Sequence, residues 1–342
     1  MEKVVEHVSV ILSGSPKISS LGIGRETGIN VDNLGTLTSG ISVRLFGTFE
    51  IRRNGELLTA SDMGGRKPRQ LLEILLLNLG TPVSKAQLVE TLWGPQASEG
   101  AIATLESYIS GIRRAIQPGN TKQGPLRTAN SGYVMVPHLV ELDLSLFRRL
   151  VQTARLSPPR EAHDLALQAL ELAAQPLLGF ELGAEWAEDA RAQHAAEKVA
   201  AQILAAETAA FLDKSQLAIS LAQTAVQADP LNERAWTILV TGYEQASLPV
   251  EGLSAYDRCR RLFDRDLGCT PGPALQAAHL RLLRQRAEGN TELSEVLAAL
   301  LYLGERLHGP KRTQPAAEES RRMQENAGRI LDSFVQQALA AV

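Results

Sequence analysis

The chain has 342 residues, 44% of them hydrophobic, with 35 Lys/Arg against 38 Asp/Glu and only two cysteines. That is apolar material for two or three ordinary domains and excludes wholesale disorder; Cys259 and Cys269, with no companion Cys or His pair, exclude a disulfide framework and a zinc pattern. The net charge of −3 conceals an asymmetry: residues 41–140 carry 11 Lys/Arg and 7 Asp/Glu, a local +4, and the remainder −7, so a basic module on an acidic chain suits a polyanion contact.

No run of about 18 apolar residues occurs, so no membrane span is expected. Residues 8–12 are apolar but lack a basic leader and a small-residue cleavage site, which argues against a signal peptide. With two unpaired thiols, the expected compartment is a reducing cytoplasm, both cysteines buried or half-buried.

Residues 1–40, rich in Gly, Ser, Thr and Asn, read as a flexible leader. Their G-I-G-R-E-T-G run, 22–28, lacks the strand–loop–helix setting and the Walker lysine of a phosphate loop. A small β-region follows, in which Ile41, Val43 and Leu45 alternate with Ser42, Arg44 and Phe46, and Phe49 and Ile51 continue beyond Gly47. Asn54-Gly55 is a hairpin turn, because both residues accept positive φ.

Residues 66–79 form a first helix, apolar nearly all round and therefore buried, stopped by Gly80 and Pro82. Ser84 with Gln87 makes a capping box for a second helix, whose apolar pairs are Leu88/Leu92 and Val89/Trp93 and whose end is Gly94-Pro95. A third helix is expected to start at an N-cap Ser98, with Glu99 at the positive end of its dipole. Ile102, Leu105, Ile109, Ile112 and Ile116 form one inward stripe. Ala103, Thr104, Ser107, Gly111 and Arg114 occupy the opposite face, with Tyr108 and Arg113 flanking the stripe. Two strands, 126–128 and 133–136, are joined through Asn130-Ser131-Gly132, with Gly132 permitting the turn and Tyr133 packed in the core. Strand, three helices and hairpin in that order describe a winged helix.

From about residue 143 to 285 the pattern is helical: 145–155, a break at Ser157-Pro158-Pro159, then 161–174, 186–212, 214–228, a helix opened by Asp229-Pro230 and running to Gln245, and 250–267. Paired helices with Ala and aromatic contacts suggest tetratricopeptide-like stacking, although Pro230 and Pro271 lie 41 apart rather than the ~34 of that repeat. The fold expected is mainly α: an N-terminal winged helix-turn-helix with a small sheet and wing, then an all-α tetratricopeptide-like domain. The domains expected are a leader 1–40, a winged helix 41–140, a helical domain 141–287 and a tail 288–342. In the tail, Ile330, Leu331, Phe334, Val335 and Leu339 could line one face of a packing or dimer helix.

At this point a family resemblance is carried by R-K-P-R-Q-L-L-E-I-L-L-L, V-S-K-A-Q-L-V-E-T-L-W-G, L-E-S-Y-I-S-G-I-R-R-A-I and S-G-Y-V-M-V in the first half. In the second half it is carried by E-L-D-L-S-L-F-R-R-L, D-P-L-N-E-R-A-W, S-A-Y-D-R-C-R-R-L-F-D-R-D-L-G and T-P-G-P-A-L-Q. Residues 41–136 resemble the winged-helix DNA-binding domain of the OmpR type. Residues 140–285 resemble the bacterial transcriptional activation domain that follows it in the Streptomyces antibiotic regulatory protein family. The resemblance covers roughly 245 of 342 residues. It departs at Gly111, where the family usually carries an arginine.

Such a resemblance implies an activator of secondary-metabolite (antibiotic) gene clusters. It would bind direct repeats in double-stranded DNA near promoters as a homodimer or head-to-tail pair, and recruit RNA polymerase. The third helix would enter the major groove, with Thr104, Ser107 and Tyr108 facing base edges or phosphates, unless Tyr108 simply seals the edge of the core. Gly111 would let the helix approach closely, and Arg113 and Arg114 would reach phosphates or a guanine. In the wing, Arg127 and Asn130 would touch the sugar-phosphate backbone or minor groove. Arg66, Lys67 and Arg69, at a helix N-terminus, serve either phosphate or solubility. A second reading makes the helical half a peptide- or ligand-binding scaffold and the winged helix its docking domain. Neither a Gly-Xaa-Ser-Xaa-Gly, a Walker motif, a metal cluster nor paired catalytic carboxylates are found, and the six histidines are scattered. No enzyme activity, cofactor or metal is expected.

Overall fold

Pairing of distant short strands organises the first half. The computed structural model describes residues 40–59, 62–119 and 123–287; the glycine-rich 22–28 run and the expected helix around Phe334 lie outside them. Strands β1 (Ile41–Arg44), β2 (Glu50–Arg53) and β3 (Glu56–Leu58) form a meander, with Val43 opposite Ile51 and Asn54 and Gly55 at φ 51° and 84° in the turn. The fourth strand, β7 (Val140–Leu142), pairs parallel to β1, giving the order β3-β2-β1-β7. The expected alternation stops at Arg44: both Leu45 and Phe46 are buried. Their N–H groups donate to the Asp143 carboxylate at 2.8 and 2.9 Å, so one side chain ends the strand and holds the next element to it.

Helix α1 (Arg66–Leu77) is covered on nearly every side by apolar neighbours. Two-residue β4 (Val83–Ser84) leads into α2 (Lys85–Trp93), whose N-cap Ser84 and Gln87 form the expected capping box. After a 3-10 turn at Gly94–Gln96, α3 (Ala101–Ile116) begins. Its N-cap is Gly100, with no side-chain cap, not the expected Ser98; the Ser98 carbonyl instead accepts from the Ala101 N–H in the turn before the helix. β5 (Leu126–Ala129) and β6 (Gly132–Met135) make the wing, and β4 pairs with β6 to give the order β4-β6-β5. Here Asn130, at φ 44°, takes the turn that the sequence assigned to Gly132. Gly132 is needed for another reason: a Cβ there would lie 1.9 Å from the Val83 carbonyl oxygen.

The second half is a succession of helices, each packed on the next: α4 (Asp143–Leu156), α5 (Pro159–Leu172), α6 (Glu185–Phe211), α7 (Ser215–Ala228), α8 (Glu233–Gln245), α9 (Pro249–Leu267) and α10 (Pro273–Ala287). Fully buried alanines, among them Ala166, Ala205, Ala206, Ala218 and Ala222, let neighbouring axes approach closely. One hydrophobic cluster joins Leu71, Leu75, Leu105, Ile109 and Met135 of the winged helix to Leu144, Phe147, Leu177, Leu178 and Ala187 of the helical half. A second cluster, with Trp236, Leu239 and Phe263, lies within α6–α10. Cys259 is buried, where desolvation pushes its thiol up to about 12, but Cys269 is exposed, contrary to expectation, in the loop after the αL cap Gly268.

Candidate nucleic-acid interface

Helix α3 is anchored by one apolar stripe: Ala101, Leu105, Ile109, Ile112 and Ile116 are each at most 3% exposed. Ile102, expected in that stripe, is 51% exposed, because the core does not extend over the first turn at its angle. Tyr108 is half-buried and stacks on Trp93 of α2, with centroids 6.1 Å apart, sealing the core edge. On the opposite flank Lys85 is paired with Glu106, whose hydrogen bond holds the ammonium above its usual range.

The outward face is small and polar. Ala103, Ser107, Ser110 and Arg114 are exposed, and Thr104 and Gly111 partly so. The Thr104 and Ser110 hydroxyls donate to the carbonyls of Gly100 and Glu106 one turn back, at 3.1 and 2.9 Å, which keeps them close to the helix. A Cβ added at Gly111 would meet nothing, so the space beside it is open. Arg114 stands free of any ion pair or hydrogen bond among the described residues.

Arg113 is placed differently. Its Nε donates to the Leu126 carbonyl at 3.3 Å, its Nη2 donates to the Thr128 hydroxyl at 2.8 Å, and its guanidinium lies 5.6 Å from the Tyr133 ring centre. It fastens α3 to the wing. Arg127 likewise folds back, donating to the carbonyls of Gly124 and Gln123. Asn130 is exposed at the wing tip.

The basic cluster at the start of α1 is engaged within the molecule. Glu181, in the segment between α5 and α6, is 1% exposed and accepts from Arg69 and Gln70, with Arg66 at 3.5 Å. Burial works against its anion, yet the bonds from Gln70 and Arg69 and the charges of Arg69 and Arg66 together hold its carboxyl below the usual range. Lys67 donates to the Leu92 carbonyl at 2.6 Å and lies over Trp93. Glu73, one turn along α1, is buried beside this group; desolvation, then the nearby Glu181 charge, push its carboxyl up to about 8. Arg69 and Arg66 oppose that rise. Thr104, Ser107, Gly111 and Arg114 thus share one open face, whereas Arg66, Lys67, Arg69, Arg113 and Arg127 hold the fold together. Glu181 escaped the sequence reading because a single acid in an irregular segment carries no periodic signal.

Among the described residues no three His, Cys, Asp or Glu side chains form a metal-binding group, and no helix is long and apolar enough to cross a membrane.

Two family models match the chain: "Transcriptional regulatory protein, C terminal" over residues 64–135 and "Bacterial transcriptional activator domain" over residues 142–283. Together with the winged helix and its open α3 face they define a non-enzymatic, DNA-binding transcription regulator. The relatives narrow this. Regulatory protein DnrI of Streptomyces peucetius is 28% identical over 261 residues, covering 71% of this chain and 92% of DnrI. Transcriptional regulator RedD of Streptomyces coelicolor is 30% identical over 230 residues, 64% of each chain. The match to regulatory protein AfsR of Streptomyces coelicolor, 29% identical, spans 72% of this chain but 24% of AfsR. A solved structure of Mycobacterium tuberculosis EmbR in complex with a low affinity phosphopeptide shares the fold, with a TM-score of 0.62 and 24% identity, over 78% of this chain and 71% of that one. Its two matched domains make the chain similar to the Streptomyces antibiotic regulatory proteins.

Proposed function

We propose that the chain activates transcription of a secondary-metabolite gene cluster, binding directly repeated sites near promoters as a head-to-tail pair and recruiting RNA polymerase through its helical half. The observation that carries this reading is the open face of α3. Ser107, Thr104 and Arg114, which has no partner among the described residues, lie on the side away from the buried stripe, with free space beside Gly111. Short hydroxyl side chains suit base edges, and a free guanidinium suits a phosphate or guanine.

The test is selection of duplexes from a random pool by the full-length protein, at low and near-physiological salt. It is followed by transcription from a promoter carrying the enriched site. A direct repeat that persists at the higher salt and raises transcription with purified polymerase is the expected result. Enrichment without any effect on transcription overturns the recruitment step. The scaffold reading keeps one support, a groove of about 890 Å³ lined by Ala192, Ala196, Val199 and Ile203 of α6 with Arg155 and Arg234. It predicts DNA affinity that hardly changes with salt.

A further inference from the structure

Three isoleucines of α3 are essentially sealed: Ile109, Ile112 and Ile116 are 1%, 0% and 2% exposed. The fourth, Ile102, is half in water at 51%. It lies in the first turn of the helix, and its neighbour Ala103 is exposed too. The remaining outward positions of α3 are hydroxyls, a glycine and the charged Glu106 and Arg114. The first turn therefore presents a small apolar step at the end of an otherwise polar face.

Position limits what this step can touch. One turn further on, Glu106 is held by Lys85, and beyond it Arg113 is held by the wing. Those contacts close the flank of α3 beyond its first turn. A recognition helix meets base edges with its N-terminal residues, and an aliphatic side chain has nothing to offer a phosphate. The one apolar group that DNA displays in the major groove is the C5 methyl of thymine.

We propose that Ile102 contacts a thymine through its C5 methyl group and so selects a T·A pair in each half-site. This rests on the reading of α3 as the DNA-facing helix, and adds to it a residue and a base. Thr104, Ser107 and Arg114 supply polar contacts; Ile102 supplies discrimination that carries no charge.

The experiment is a thymine-to-uracil scan of the duplex enriched from a random pool, with the full-length protein. Uracil keeps the base pairing and removes only the methyl. The native chain is expected to lose about fourfold in affinity at one position per half-site, the worth of one buried carbon group. Ile102→Ala should still bind the duplex, with the same salt dependence, but treat thymine and uracil alike there. Ile102→Val should fall between. Uracil tolerated at every position by a native chain that still binds its duplex specifically overturns this proposal while leaving the reading of α3 intact. The same holds if Ile102→Ala keeps the native sensitivity. Failure to enrich any duplex overturns the reading of α3 and this proposal with it.

Discussion

Arg113 and Arg114 are neighbours in the chain but point about 100° apart around α3, and their substitutions should differ in kind. Arg114→Ala removes an exposed cation that has no partner among the described residues. Its salt dependence of DNA binding should fall by about one unit of slope with the unfolding temperature unchanged. Arg113→Ala removes two hydrogen bonds and a contact over Tyr133, so it should cost about 1–2 kcal/mol of stability. Titrations across salt and thermal unfolding separate the two; a destabilised Arg114→Ala contradicts the geometry. Glu73 yields a pH prediction. Folded, it keeps its proton up to about pH 8, against an ordinary value of 4.5. Between those limits the folded state holds more protons than the unfolded. Its contribution is therefore full below about pH 4.5 and is lost as pH rises toward 8, by at most about 1.4 kcal/mol per unit. Glu73→Gln keeps the shape without the charge and should flatten the fall in stability over that window, read by denaturant unfolding at a series of pH values. An unchanged slope would show that another group is responsible.

The two glycines beside the wing and α3 make a matched pair. Gly132→Ala drives a methyl into the Val83 carbonyl, parting β4 from β6; a loss of about 2 kcal/mol or more and weaker DNA binding are expected. Gly111→Ala meets open space within a helix and should stabilise by about 0.5–1 kcal/mol. If Gly111 also permits close approach to DNA, affinity falls as stability rises; a stabilised variant with undiminished affinity removes that role. Local chemistry made several elements legible in sequence. Asn54-Gly55, the Ser84/Gln87 box and the Leu105–Ile116 stripe each need only near neighbours. What escaped depended on distant partners. β4 and β7 are two and three residues long and exist because Val83 meets Tyr133 and Val140 meets Ile41. Periodicity placed Ile102 on the inner side of α3 but says nothing about where the covering core ends. Residue type made Arg66, Lys67 and Arg69 look like a phosphate site; the acid that engages two of them lies more than a hundred positions away.

Across the whole molecule the two family matches meet in one core. β7 ends where α4 begins, Asp143 caps β1, Leu178 donates to the Leu45 carbonyl at 2.9 Å, and Phe46 bridges to Leu177. A fragment ending at residue 140 loses Leu144, Phe147, Leu177 and Leu178 from that core, and Glu181 from α1. It should lack a cooperative unfolding transition, whereas the full chain has one. A fragment that melts as sharply and as high as the full chain would show that the winged helix needs none of them.

The Glu181 contact also has a mechanical consequence. A helical half joined to α1 by a buried carboxylate and a shared core cannot swivel about a hinge, so the direction in which α3 meets DNA also sets the azimuth at which the helical half leaves it. For the proposed recruiter, sliding the operator by about 5 base pairs, half a turn of the duplex, would carry the helical half to the far side of the promoter. Transcription should then collapse, and return when a further ~5 base pairs restore the phase.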